Sequence, residues 1–113
     1  MMVEARLATD VWVRAYVKRL ELENIPAYIT ARGQASSGAV MVKCARLDGT
    51  AQSYERRADL MTGKSAWMLL HDGPEAEVDA SIRKQLSFDP DLWVVEIESR
   101  DGRTLLDEEG LSG

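Results

Sequence analysis

Between Thr9 and Asn24 the apolar residues recur at helical spacing. Trp12, Val13, Tyr16, Val17 and Leu20 share one face, with Arg14, Lys18 and Glu21 opposite. Thr9 is placed to cap this helix, with Asp10 in a first turn whose dipole favours a carboxylate. Asn24 and Pro26 end it. From Ala27 the period shortens to two. Ala27–Arg32 reads as a strand, Gly33–Gly38 as a loop of turn residues, and Ala39–Leu47 as a strand apolar on both faces, suited to the middle of a sheet. Asp48-Gly49 has the chemistry of a type I′ turn leading into Ala51–Arg56. Thr62-Gly63-Lys64 reads as a turn before the strand Ala66–His71.

Asp72-Gly73-Pro74 switches the pattern back to helix. Pro74 suits a first helical position, where its missing N–H is no loss. Glu75, Glu77 and Asp79 fall near the N-terminal end, and Val78, Ile82 and Leu86 form a narrow apolar stripe. Asp89-Pro90 closes the helix. In Leu92–Ser99, Trp93, Val95 and Ile97 share one face, and Leu92, Val94, Glu96 and Glu98 the other. The first of these faces is expected to pack against the Val78/Ile82/Leu86 stripe. Asp101-Gly102 is a second hairpin signal, returning the chain through Thr104–Leu106. The expected fold is therefore α+β, an antiparallel sheet of about five or six strands with two helices packed against it, in the order α-β-β-β-β-α-β-β.

The 113 residues fit a single domain, with 1–8 and 107–113 as frayed ends. No apolar run reaches the length of a membrane span, and Glu4, Arg6 and Asp10 interrupt any signal-peptide pattern, so a cytoplasmic location is expected. Net charge is −5, divided unevenly: net +3 through Arg57 and −8 beyond it. That acidic balance argues against a dedicated nucleic-acid binder. One cysteine and one histidine supply too few soft ligands for a structural zinc site.

The segments WVRAYVKRLE, ITARGQASSGAVMVKCARLDGTAQSYERR and GPEAEVDASIRKQLSFDPDLWVVEIESRDGRTLLDE together resemble a small bacterial family catalogued as domain of unknown function 1491. The resemblance spans Arg6–Leu111 and is most specific at Arg32-Gly33, Gly38-Ala39 and Phe88–Glu98. It implies no activity, cofactor, substrate or catalytic residue.

Ala58–Ser65, ADLMTGKS, imitates a phosphate-binding loop, but that chemistry needs a helix beginning at the lysine, and AWMLLH reads as a strand. His71 has no neighbouring nucleophile or carboxylate motif, and Cys44 shares an apolar strand face with Val40 and Val42. Asp89, Asp91, Glu96 and Glu98 form the densest carboxylate set without the spacing of a ligand loop. Trp12, Trp67 and Trp93 lie in apolar periodic contexts suited to core packing. No catalytic, cofactor or metal set is thus expected. The candidate interaction residues are Arg32, Arg46, Arg56 and Arg57, a possible basic patch on neighbouring strands, and Trp93 as a partner anchor.

The leading functional expectation is a small non-enzymatic interaction module with a protein partner or a second copy of itself. The alternatives are a weak nucleic-acid-associated protein using the basic middle strands, and a ligand- or metal-binding enzyme using the acidic C-terminal half.

Overall fold

The periodic segments fold as α1 (Thr9–Leu22), β1 (Ala27–Ala31), β2 (Val40–Ala45), β3 (Thr50–Ala58), β4 (Ser65–Pro74), α2 (Glu75–Phe88) and β5 (Trp93–Glu98). The computed structural model describes residues 8–58, 61 and 65–108. Of the expected frayed ends 1–8 and 107–113, residues 1–7 and 109–113 lie outside the described residues, as does the Thr62-Gly63-Lys64 turn.

The sheet order is β1-β5-β2-β3-β4. It is mixed rather than antiparallel: β2 and β5 run parallel, while the β1–β5, β2–β3 and β3–β4 pairs are antiparallel. The reason lies in α2. It carries the chain from edge strand β4 back across the sheet, so that β5 enters between β1 and β2 in the direction of β2.

That insertion also removes the expected last strand. Both edges of β5 are occupied, which leaves no ladder for a returning Thr104–Leu106 to join. The Asp101-Gly102 turn still forms, with Gly102 at φ 72 and its N–H donating to the Ser99 carbonyl at 3.2 Å. Beyond it the chain leaves the sheet and buries Leu105 and Leu106 in the α1 cluster. Tyr16 Oη donates to the Thr104 carbonyl at 2.8 Å, and Arg103 pairs with Glu23.

Each helix covers one face. On the first, Trp12, Val13, Tyr16 and Leu20 of α1 meet Val40, Val42 and Cys44 of β2 and Trp93, Val95 and Ile97 of β5. On the second, Val78 and Ile82 of α2 meet Met41, Ala51, Leu92 and Val94. Trp93, Val95 and Ile97 do share a face, but it packs under α1 and not against the α2 stripe. Every residue of β2 is buried, as its two apolar faces require.

Three local readings are corrected. Thr9 does not cap α1: it is the first helical residue, and its hydroxyl donates to the Gly38 carbonyl at 2.9 Å. The β2–β3 connection is not a two-residue type I′ turn, because the positive φ angles fall at Leu47 and Gly49 rather than at Asp48 and Gly49. Pro74 ends β4 and α2 begins at Glu75. Among the described residues, no helix is long and apolar enough to cross a membrane.

Candidate functional site

The α2 face of the sheet carries a row of polar side chains. Lys43 of β2 pairs with Glu96 of β5 on one side and Ser53 of β3 on the other, and Ser53 in turn pairs with His71 of β4. Glu75 and Asp79, one helical turn apart at the start of α2, close over the row. The Lys43 ammonium lies 2.6 Å from Asp79 Oδ1, 2.6 Å from Glu96 Oε1 and 2.8 Å from Glu75 Oε2, with only 6% of its side chain exposed.

Burial by itself would lower the Lys43 pKa. The hydrogen bonds to Asp79, Glu75 and Glu96 outweigh it and hold the ammonium protonated well above the usual lysine range. The carboxylate oxygens of Glu75, Asp79 and Glu96 lie within 4.8 Å of one another, close enough to share one cation. The protein's own ammonium occupies that position. A lysine held this firmly as a cation is neither nucleophile nor base, so the chemistry of the cluster is to clamp the start of α2 onto the sheet. Beside it, the Ser53 hydroxyl is fully buried and has no hydrogen-bond partner.

Of the carboxylates singled out in the sequence, the structure brings only Glu96 into this cluster. Asp89 Oδ1 accepts the Asp91 N–H at 3.0 Å, which is turn chemistry. Glu98 hydrogen-bonds the Tyr28 phenol and pushes its pKa up. Lys43, Glu75 and Asp79 were not anticipated as a unit. The available signals were a lysine interrupting an apolar strand and two acids at i,i+4 in a first turn.

The opposite face has its own self-filled cation position. Trp12 stacks on Tyr16 with ring centroids 5.0 Å apart and lies 5.4 Å from Trp67. The Arg56 guanidinium sits over both indoles, 5.1 Å from the Trp12 ring and 5.9 Å from that of Trp67. Trp93 is 96% buried in effect, being only 4% exposed, and its Nε1–H donates to the Gln34 carbonyl at 2.9 Å. Cys44 is buried, and that burial pushes its thiol pKa up, away from reactive thiolate.

The four arginines are not gathered into one patch. Arg46 bonds Thr50 and Asp72 at the β2–β3 turn, whereas Arg56 lies six residues further along β3, about 20 Å away. Arg32 is exposed beyond β1, three strand spacings or about 14 Å across the sheet from Arg56. Arg56 and Arg57 are consecutive on β3. Ser65 opens β4, so a strand follows Lys64 where a phosphate loop needs a helix.

Those two arginines lie on an extension of the sheet. Pairing of β2 with β3 stops at Met41↔Glu55, but β3 and β4 continue through Arg56↔Trp67, Arg57↔Ala66 and Ala58↔Ser65. The result is a two-stranded arm reaching past β2. No described strand pairs with the outer edge of β4. Met68 and Leu69, on successive positions of β4, are 49% and 51% exposed, and Met61 at the end of the arm is 93% exposed. The other edge strand, β1, is five residues long against ten in β4.

Residues 7–107 match the family model described as "Protein of unknown function (DUF1491)". The chain is similar to a DUF1491 family protein from Caulobacter crescentus CB15 of known crystal structure. The two are 40% identical over 91% of this chain and 97% of that one, with a TM-score of 0.83. An NMR structure of a DUF1491 family protein from the same organism aligns at 39% identity over 93% and 96% of the two chains, with a TM-score of 0.81. Protein Atu0922 from A. tumefaciens is 25% identical over 84% of this chain and 87% of its own, with a TM-score of 0.72. No curated protein matches the chain.

Proposed function

The chain belongs to the DUF1491 family, for which no activity is assigned, and we propose that it is a non-enzymatic protein-interaction module that docks its partner on the outer edge of β4. The observation that carries this reading is the outer edge of β4. Among the described residues no strand pairs with this edge of the ten-residue β4, on which Met68 and Leu69 are half-exposed. Edge strands of soluble proteins are ordinarily short, charged or interrupted by proline. From Ser65 to Leu70 this one has neither charge nor proline, and it meets Asp72 and Pro74 only at its far end.

The non-enzymatic part of the reading is supported by the state of each reactive group. Lys43 is locked as an ammonium, the Cys44 thiol is buried with a raised pKa, and the Ser53 hydroxyl is hydrogen-bonded to no base, although His71 stands opposite it. We read the protein as bacterial and cytoplasmic, in keeping with the bacterial sources of its structural relatives.

A photo-crosslinking amino acid placed at Leu69, in a cell expressing the protein at its native level, tests the proposal. The same group placed at Glu77 on α2 serves as the control. A discrete protein adduct at Leu69 and none at Glu77 is expected. Absence of any adduct at Leu69, or equal capture at both positions, removes the β4 edge as the docking surface.

A further inference from the structure

We infer that Arg103–Glu108 form a strap that opens and closes as a unit over the C-terminal half of α1, hinged at Gly102, while the sheet stays folded.

The strap is held by side chains and not by a ladder. Its later N–H groups bond within it: Leu106 N–H donates to Thr104 Oγ1 at 3.3 Å, and Glu108 N–H to the Leu105 carbonyl at 3.1 Å. Among the described residues, hydrogen bonds from the rest of the chain meet its backbone at two points, both at its start. Ser99 Oγ accepts the Arg103 N–H at 3.0 Å, and Tyr16 Oη donates to the Thr104 carbonyl at 2.8 Å. Strands β2 and β5, by contrast, are paired along both edges. The strap can therefore leave without breaking the cooperative network of the sheet.

Burial of Leu105 and Leu106 in the α1 cluster is what seats it. Leu105 takes that seat at φ 62, in the left-handed region that is unfavourable for a residue with a Cβ. Opening relieves that cost. Gly102, at φ 72, supplies the backbone freedom of the hinge. On its other side Ser99 is fixed, its N–H donating to the Ala45 carbonyl at 2.9 Å.

The charges that align the strap also offer an exchange. Arg19 of α1 pairs with Glu108 at 3.1 Å, and Glu23, at the C-cap, pairs with Arg103. The helix thus meets the strap antiparallel, positive on negative at one end and negative on positive at the other. All four side chains are 32–49% exposed, so each pair contributes little and is screened by salt. When the strap leaves, Arg19 and Glu23 remain as i,i+4 neighbours able to meet each other, in the less favourable order. No buried charge is stranded, which narrows the gap between the closed and open states. Opening bares the seat of Leu105 and Leu106 and lets water reach the Tyr16 phenol.

Amide hydrogen exchange of the whole chain, labelled with nitrogen-15, tests the strap. The Leu106 and Glu108 amides should show one common protection, far weaker than that of the β2 and β5 amides. Sodium chloride at about 1 M, where the screening length is only about 3 Å, should speed exchange of both about two- to five-fold relative to β2 and β5. Glu23→Arg, which sets like charge against Arg103, should speed both further. Combining it with Arg103→Glu restores the pair in reverse and should return protection toward that of the wild type. Both positions are exposed, and the salt series on the wild type is independent of either variant.

Protection of Leu106 and Glu108 equal to that of β5 would make the segment part of the global fold and overturn the inference. Unequal protection, with Glu108 open and Leu106 closed, would mean simple fraying, and no protection at either would mean that the strap is not seated. Failure of the reversed pair to restore protection would remove the ion-pair exchange. Each of these sinks the strap as a switching unit. Opening involves no residue of β4, so the crosslinking result at Leu69 does not bear on it.

Discussion

Lys43 and Ser53 face each other across the β2–β3 ladder, and their polar groups meet opposite fates. The Lys43 ammonium has three carboxylate partners within 2.8 Å, while the fully buried Ser53 hydroxyl has none. The α2 interface thus combines a strong ionic clamp with a neighbouring unpaired hydroxyl, and each has a measurable consequence.

A buried hydroxyl without a partner loses its bonds to water and gains nothing in exchange. Ser53→Ala is expected to stabilise the fold by about 1 kcal/mol, since it removes the desolvated group and very little volume. Urea unfolding followed by tryptophan fluorescence measures it. A loss of stability of comparable size would mean that the hydroxyl is satisfied in solution and belongs to the polar row.

Removing the ammonium has the opposite effect. Lys43→Met leaves Glu75, Asp79 and Glu96 facing one another without a counter-charge. The cost should be about 2–3 kcal/mol, below the roughly 3–5 typical of a fully buried pair, because these carboxylates remain 29–40% exposed. The pH dependence has a definite sign. The folded-state pKa of Lys43 is raised above its unfolded value of about 10.4, so its contribution is complete below that pH and is lost as pH rises through the folded value. The stability gap between wild type and Lys43→Met should therefore narrow in the alkaline range above about pH 10.4. A gap that stays constant there, in paired chemical-denaturation curves, contradicts the clamp.

The loop between β1 and β2 is held by close backbone approaches. A Cβ on Gly33 would lie 2.0 Å from the Asp91 carbonyl oxygen, and one on Gly38 would lie 2.3 Å from it. The loop is also bound to the first turn of α1, with the Asp10 N–H donating to Ala35 O at 2.9 Å and the Thr9 N–H to Ser36 O at 3.3 Å. Gly33→Ala and Gly38→Ala should each cost about 1–3 kcal/mol or more by forcing backbone apart. Gly49→Ala meets nothing within 4 Å and is strained only by its φ of +89, so it should cost about 1 kcal/mol. Thermal melts of the three variants give the ranking, and equal melting points would show that the loop yields without cost.

Local periodicity carried much of this architecture in the sequence. The α1 stripe, the two apolar faces of β2 and the shared face of Trp93, Val95 and Ile97 were all legible, because each is set by the spacing of side chains along one element. The insertion of β5 between β1 and β2 was not. It is a pairing between distant segments, and Asp101-Gly102 carries the same turn signal whether or not an edge is open to receive a returning strand. Which helix covers which face was equally hidden, since β5 is apolar on both sides at its start. The clamp was legible only in fragments. Glu96, Lys43 and the Glu75/Asp79 pair come from three elements and meet only once the sheet order is known.

Trp93 distinguishes a core position from a docking anchor. It is 4% exposed, belongs to the cluster beneath α1, and has its indole N–H bonded to Gln34 O. Trp93→Ala should cost about 3–5 kcal/mol, enough to leave a domain of this size marginal, while Trp93→Phe keeps most of the packing and should cost less. The coupling should identify the face. In double-mutant cycles, Trp93→Phe should be non-additive with Val13→Ala on α1. It should be additive within about 0.5 kcal/mol with Ile82→Ala on α2, which packs against the other side of the sheet. Strong coupling to Ile82 instead would mean that the two clusters are not independent. A Trp93→Ala protein that melts like the wild type but loses the Leu69 crosslink would move Trp93 from the core to the interface, and the docking surface with it.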